Sequence, residues 1–172
     1  MKMNTRKSLI HESCDAGSGA YPIPVFRLQL VKEAEGVIAF GPINSPADVL
    51  ALLPDVAQAD REHMVALYLD TKHRVLGKHT ISIGTLNASL IHPREVFKAA
   101  LMLNAHALLL LVHNHPSGDV APSRDDDRVT RAIAKAGELL EIRLLDHIII
   151  GPAQRCYSYK DHKPELLKGD ES

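Results

Sequence analysis

Apolar and polar residues alternate along Val25-Phe26-Arg27-Leu28-Gln29-Leu30-Val31, the period of a half-buried strand. Val37 to Phe40 offers a second, partnering strand. Asn44-Ser45-Pro46-Ala47-Asp48 is a helix start, with Ser45 as N-cap and Pro46 at the first helical position. The spacing predicts a helix over 46–53, with a kink or restart at Pro54. His63 to Asp70 is short and almost wholly apolar, as a strand buried on both faces is. A turn at 70–73 returns the chain along the alternating stretch 74–82, which completes a hairpin. His92-Pro93-Arg94-Glu95 opens a second helix over 93–104, with Val96, Phe97, Ala100 and Leu101 on its apolar face. The run 107–112 fits helix or strand on periodicity, but its shortness and the following Pro116 and Gly118 favour a buried strand. A third helix spans 123–140 and buries Val129, Ile133, Ala136 and Leu140. Leu144 to Ile150 is a further buried strand, and Cys156 to Tyr159 a last edge strand.

Helices and strands are interspersed and several connections are hairpin-like, so the expected class is mixed α/β rather than a doubly wound parallel sheet. With 172 residues the expectation is one domain over 21–172 behind a disordered tail at 1–20. A chain of this size buries ~70% of its extended surface, enough for a core without staples. The charge is balanced, 20 Lys+Arg against 21 Asp+Glu, which does not support a nucleic-acid footprint, though a local patch stays open. Two cysteines, Cys14 and Cys156, exclude a disulfide scaffold or a multi-cysteine zinc finger and suit a reducing, cytoplasmic compartment. Apolar runs reach only about six residues, far short of the roughly 18 of a membrane helix, and no secretory signal opens the chain. The unusual count is 10 histidines, which directs attention to imidazole chemistry.

Strand residues two apart share a side, so His113 and His115, ending an apolar strand, can aim two imidazoles at one point. The helix that follows starts at Ser123 and offers Asp126 in its first turn. Two imidazoles and a carboxylate leave a fourth zinc position open, the catalytic rather than the structural arrangement. Each part also has a plain reading. A His-x-His pair occurs at ordinary strand ends. Ser123 with Asp126 is a helix cap. Asp125-Asp126-Asp127 suits a helix dipole. The joint pattern shifts the weight: His-x-His, seven residues, Ser, two residues, Asp.

That pattern resembles the JAMM signature of the MPN/JAB metalloprotease superfamily at every fixed position. The wider sequence is similar to the RadC family of bacterial proteins over about residues 25–160. It includes 63–72, Ile83-Gly84-Thr85-Leu86-Asn87-Ala88-Ser89, His92-Pro93-Arg94-Glu95-Val96-Phe97 and His113-Asn114-His115-Pro116-Ser117-Gly118-Asp119. The resemblance implies an MPN/JAB-like (cytidine-deaminase-like) fold, a mainly antiparallel sheet flanked by helices. It implies one zinc ion on His113, His115 and Asp126, with cleavage of a peptide or isopeptide amide by zinc-activated water. By the superfamily's placement of its general base, Glu62, 51 residues before His113, takes that role. Glu95 competes but reads better as a first-turn helix carboxylate. Ser123 can donate a hydrogen bond to the developing oxyanion while its backbone caps the helix.

Longer RadC proteins carry a helix-hairpin-helix region, for which this chain is expected to have no room. A DNA-repair-associated role and a non-catalytic scaffold remain the alternatives. The expected partner is a peptide or protein substrate, with no membrane, and oligomerisation is left open. The contiguous His-Asn-His is not the spread-out nuclease motif of that name. His147 is expected to be a hydrogen-bonded core residue rather than a ligand, and Cys156 a small buried hydrophobe. The Gly84–Asn87 stretch reads equally as groove lining or as a turn.

Overall fold

In a computed structural model of the chain, residues 24–27, 29–31, 41–84 and 91–168 are described. The chain divides into two compact units, Met1–Glu33 and Ala34–Ser172. In the first, the described residues are in neither helix nor strand. The strand expected over 25–31 is therefore not formed by the described residues there: alternation sorts side chains onto faces but does not by itself make a ladder. The proposed partner at 37–40, the tail at 1–20 and most of the Gly84–Asn87 stretch lie outside the described residues.

The second unit follows the expected order closely. Helix α1 (Pro46–Leu52) begins with a full capping box in which Ser45 and Asp48 exchange side-chain and backbone hydrogen bonds. Pro54 restarts the helix as α2 (Pro54–Ala57). Strands β1 (His63–Leu69) and β2 (Val75–Ile83) form the antiparallel hairpin. Helix α3 (Pro93–Met102) precedes β3 (Ala107–Asn114), and α4 (Arg124–Leu139) follows it. The strand expected over 144–150 is broken into β4 (Arg143–Leu144) and β5 (His147–Ile150). The break is caused by Asp146, whose buried carboxylate accepts from the His147 and Lys160 amides and the Ser158 hydroxyl, diverting the backbone from the ladder. Strand β6 (Cys156–Ser158) is the expected edge. A short helix α5 (Tyr159–His162) and a 3₁₀ turn (Pro164–Leu167) then close the chain, neither announced by apolar periodicity.

The sheet order is β2-β1-β3-β5-β6, with β4 paired to β3. Antiparallel pairing holds for β1 with β2, β1 with β3 and β5 with β6; β3 runs parallel to β4 and β5. Alternate residues of β1 feed two separate cores. Met64, Ala66 and Tyr68 pack with Phe97 and Ala100 of α3 and Ile133 of α4. Val65, Leu67 and Leu69 pack with Val49, Leu53 and Val56 from α1 and α2. β1 is thus buried on both faces, which explains its lack of a polar alternation. On β3, Leu111 belongs to the α3/α4 face and Val112 to the α1/α2 face. The same alternation decides where the next residues of β3 point.

Two features of the frame are open to direct test. Gly137 lies inside α4, where alanine ordinarily adds up to about 1 kcal/mol over glycine. A Cβ there meets the Ile142 carbonyl oxygen at 2.5 Å and Phe97 Cζ at 3.1 Å, because the chain turns back tightly behind the helix. Gly137→Ala is therefore expected to destabilise, by about 1–3 kcal/mol in chemical denaturation, the usual cost of overpacking. The hairpin turn is held by Asp70, which accepts from the Lys72 and Arg74 amides and from Arg74 Nε. Those bonds, the Arg74 amide first, lower its carboxyl from 3.8 to about 2. A lowered folded-state value means stabilisation that is complete above 3.8 and is lost as pH falls toward 2. Asp70→Asn should lower the melting temperature at pH 7 and lose less of it than wild type between pH 4 and pH 2.

Candidate metal centre

Continuing the alternation of β3 puts His113 on the α3/α4 side and sends the intervening Asn114 to the opposite side. His115, just past the strand, turns its ring back toward His113, with the two Nε2 atoms 3.0 Å apart. Helix α4 starts above the same spot. Asp126 Oδ1 lies 3.3 Å from His113 Nε2, and Asp126 Oδ2 lies 3.6 Å from His115 Nε2. His113 is fully buried and Asp126 nearly so, while His115 is half-buried at the rim. Among the described residues, these three form the group able to hold a metal ion, with ligating atoms within 4.8 Å of one another.

The loop between them is built to aim them. Gly118 adopts a φ of +74°, a backbone region costly for other residues. Its amide closes the turn onto the His115 carbonyl, and Arg155 Nη2 clamps the Gly118 carbonyl at 2.7 Å. The Asp119 carbonyl is thereby presented to His115 Nδ1 at 2.8 Å. A carbonyl only accepts, so His115 carries its proton on Nδ1, and in the neutral ring Nε2 is a bare lone pair. At the other side, Ser123 and Asp126 form a capping box. Asp126 Oδ2 accepts from the Ser123 amide at 2.7 Å and hydroxyl at 2.6 Å, while Ser123 Oγ accepts from the Asp126 amide at 3.1 Å. This leaves Asp126 Oδ1 as the oxygen free to face a cation.

The electrostatics are those of a cation site. Burial above all drives His113 down to about 4, against the pull of Asp126, so that ring is neutral near pH 7. His115 is raised, chiefly by its contact with Asp126. Burial pushes the Asp126 carboxyl up, but His115, His113 and Ser123 together outweigh it and hold it well below the carboxylate range. Ligand atoms around a tetrahedral ion at about 2.0–2.1 Å stand about 3.3 Å apart. The observed 3.0 Å between the two Nε2 atoms and 3.3 Å from His113 Nε2 to Asp126 Oδ1 lie close to that value. The donor set fits a divalent metal.

The other residues singled out in the sequence fall as follows. Glu62 is half-buried just before β1, and its charge is the least of the influences that raise His115. Its carbonyl receives the Gly84 amide at 2.9 Å. Glu95 lies in the first turn of α3, paired with Arg94. The three consecutive aspartates separate cleanly. Asp125 pairs outward with Arg128, Asp126 turns in, and Asp127 takes Tyr159 Oη and Lys163 Nζ. Asp119 contributes its carbonyl, not its carboxylate, which caps the Ala121 amide. Cys156 is half-buried at the sheet edge, packed beside the α1/α2 core.

Sequence reasoning missed three contributors. His147 is the hydrogen-bonded core residue expected, yet its partner is His113, and Thr130 of α4 completes the contact on its far side. Asn114 was hidden inside a motif discounted as coincidence. Its Oδ1 accepts from the His63 amide at 2.8 Å and its Nδ2 donates to the Arg61 carbonyl at 2.9 Å and the Ala59 carbonyl at 3.3 Å. It staples the segment bearing Glu62 to the end of β3. The signal available was a buried-side amide at a strand end, where it could only serve loose backbone groups. Asn114→Ala should cost about 1–3 kcal/mol in unfolding free energy, since these backbone groups lose their partners. Hydrogen exchange should show faster exchange at the His63 amide, with the metal content of the protein retained.

The chain is similar in sequence to proteins named only as UPF0758 proteins. One from Methanosarcina mazei is 52% identical over 120 residues, covering 69% of this chain and 52% of the relative. One from Chlorobaculum tepidum is 56% identical over 102 residues, 59% of this chain and 45% of the relative. One from Rubrobacter xylanophilus is 51% identical over 121 residues, 70% and 52%. The chain thus spans about half the length of the curated relatives it matches. The family model for a RadC-like JAB domain matches residues 43–164, from before α1 to the start of the closing 3₁₀ turn, and so takes in both the sheet and the His113, His115 and Asp126 group. The chain belongs to the RadC family and carries its MPN/JAB domain.

Proposed function

We propose that this domain is a zinc-dependent hydrolase of JAMM type that cleaves a peptide or isopeptide amide bond. One observation carries the reading: the two imidazole Nε2 atoms stand 3.0 Å apart and the Asp126 carboxylate closes on both, Oδ1 at 3.3 Å from His113 and Oδ2 at 3.6 Å from His115. His113, His115 and Asp126 hold the ion, and two nitrogens with one oxygen in tetrahedral spacing favour zinc. When bound, the ion supplies Lewis acidity, bringing the pKa of a water to about 7 and polarising the substrate carbonyl. Glu62 takes the proton of the attacking water and delivers it to the leaving amine nitrogen. The Asn114 staple keeps the Glu62 segment at a fixed distance from His115 during that transfer. Ser123 stabilises the developing oxyanion when its hydroxyl proton swings from Asp126 Oδ2 toward the substrate, its backbone bond to Asp126 holding the carboxylate in place meanwhile. The partner is a peptide or protein substrate. Balanced charge disfavours a nucleic acid, and no helix among the described residues is long and apolar enough to cross a membrane. A cytoplasmic setting suits the free thiol of Cys156.

Elemental analysis and a peptide and isopeptide library test this together. Wild type should carry one zinc per chain. His115→Ala should lose it. Glu62→Gln should retain the zinc while hydrolysis falls by about 10²–10⁴-fold, the usual worth of a general base. Zinc loss from Glu62→Gln would make Glu62 a ligand, and undiminished hydrolysis would remove its role. Firm zinc binding without cleavage of any library member would favour a non-catalytic scaffold.

A further inference from the structure

We infer that Thr130 and His147 are positioning residues that fix the tautomer of His113, leaving its Nε2 lone pair facing the metal. The inference starts from one proton. Thr130 Oγ1 lies 2.6 Å from the main-chain carbonyl oxygen of Asp126. Two oxygens that close need a hydrogen between them, and the carbonyl has none to give, so the Thr130 hydroxyl donates there. The same Oγ1 lies 2.6 Å from His147 Nδ1. With its only proton committed, the hydroxyl oxygen can only accept, so His147 carries a proton on Nδ1. His147 is wholly buried and, among the described residues, its ring bonds only to Thr130 and His113, neither of them anionic, so the ring is neutral. Its Nε2 is then a bare acceptor. That atom lies 2.8 Å from His113 Nδ1, which must therefore supply the proton. A neutral His113 with its proton on Nδ1 has a lone pair on Nε2, the atom 3.3 Å from Asp126 Oδ1 and 3.0 Å from His115 Nε2. Each link forces the next.

The packing holds the chain of bonds rigid. Thr130 and His147 are both fully buried. The Tyr159 ring stacks on His147 at 4.8 Å with planes 6° apart, and its hydroxyl is engaged by Asp127. The i to i+4 spacing on α4 lets one helix turn serve both ends: Asp126 gives its carboxylate to the site and its carbonyl to Thr130. The two imidazole ligands are thus oriented by different means, His115 from a loop carbonyl and His113 from the core.

The inference rests on the metal reading for its consequence but not for its geometry, and the test keeps the two apart. Long-range proton–nitrogen correlation spectra of labelled imidazoles report tautomers directly, in both metal-free and zinc-loaded protein. Wild type should show His147 protonated on Nδ1 with Nε2 bare. Chelator competition should show zinc binding weakened about 10–100-fold in Thr130→Val, the usual loss when an outer partner of a ligand is removed. Thr130→Ser should restore it. His147→Gln should bind zinc more tightly than His147→Leu, because its amide can accept from His113 and donate to Thr130. A Thr130 that merely packs would shift the melting temperature without moving either tautomer or affinity. Wild-type spectra with the His147 proton on Nε2 would overturn the inference, as would Thr130→Val binding zinc like wild type. Should Thr130→Val fail to fold, the wild-type spectra decide. If wild type takes up no metal, the hydrolase reading falls while the metal-free spectra still decide the tautomer.

Discussion

Everything at the site depends on the two-residue period of one central strand. β3 is hydrogen-bonded on both edges, to β1 on one side and to β4 and β5 on the other, so its register cannot slip without turning core residues outward. The constraint that puts Leu111 and Val112 into opposite cores also puts His113 under α4 and Asn114 against the segment before β1. One strand end thereby orients a residue of the candidate metal group and secures the segment that bears Glu62. The close spacing of β1, β3 and β5 then brings His147 beside His113 on the same face.

Much of this was legible in the sequence because the decisive features are local. Caps, prolines and turn residues placed α1, α3 and α4 to within a residue or two and marked the restart at Pro54, and apolar runs without alternation marked β1 and β3 as interior strands. His113, His115 and Asp126 could be read together because a strand end, a short loop and a first helical turn sit side by side in the chain. What escaped notice depends on contacts made far along the chain. His147 and Thr130 are 17 residues apart, and no periodicity shows that a core histidine will meet a helix threonine. Asn114 reaches back 51 residues to the His63 amide. The interruption at Asp146 followed the same rule, since the groups that satisfy its carboxylate come from β6 and α5. The alternation at 25–31 was the converse case, a local pattern that the described residues there do not turn into a strand.

Three neighbouring aspartates show how position overrides chemistry. Asp125, Asp126 and Asp127 share a helix turn and a favourable dipole, yet successive 100° steps send them to solvent, to the metal group and to the closing helix. The middle one is held well below the ordinary carboxylate range, because its contacts with two imidazoles and a serine outweigh its burial. The flanking pairs hold the helix start in place. Lys163 and Tyr159 tie Asp127 to the α5 segment that covers His147.

The capping box at the head of α4 carries a consequence for how such a domain can change over time. Asp126 is at once a helix-start residue and a member of the candidate metal group, so a substitution that removes its carboxylate from the group also removes a cap worth about 1 kcal/mol. His115 has no such second duty: it sits half-buried at the rim and its support is a single loop carbonyl. A lineage drifting away from metal chemistry would therefore shed His115 readily and retain the Ser123–Asp126 pair. A descendant with the serine and aspartate but no second histidine would keep the fold with an incomplete metal group, and its helix start would still record the group it once completed.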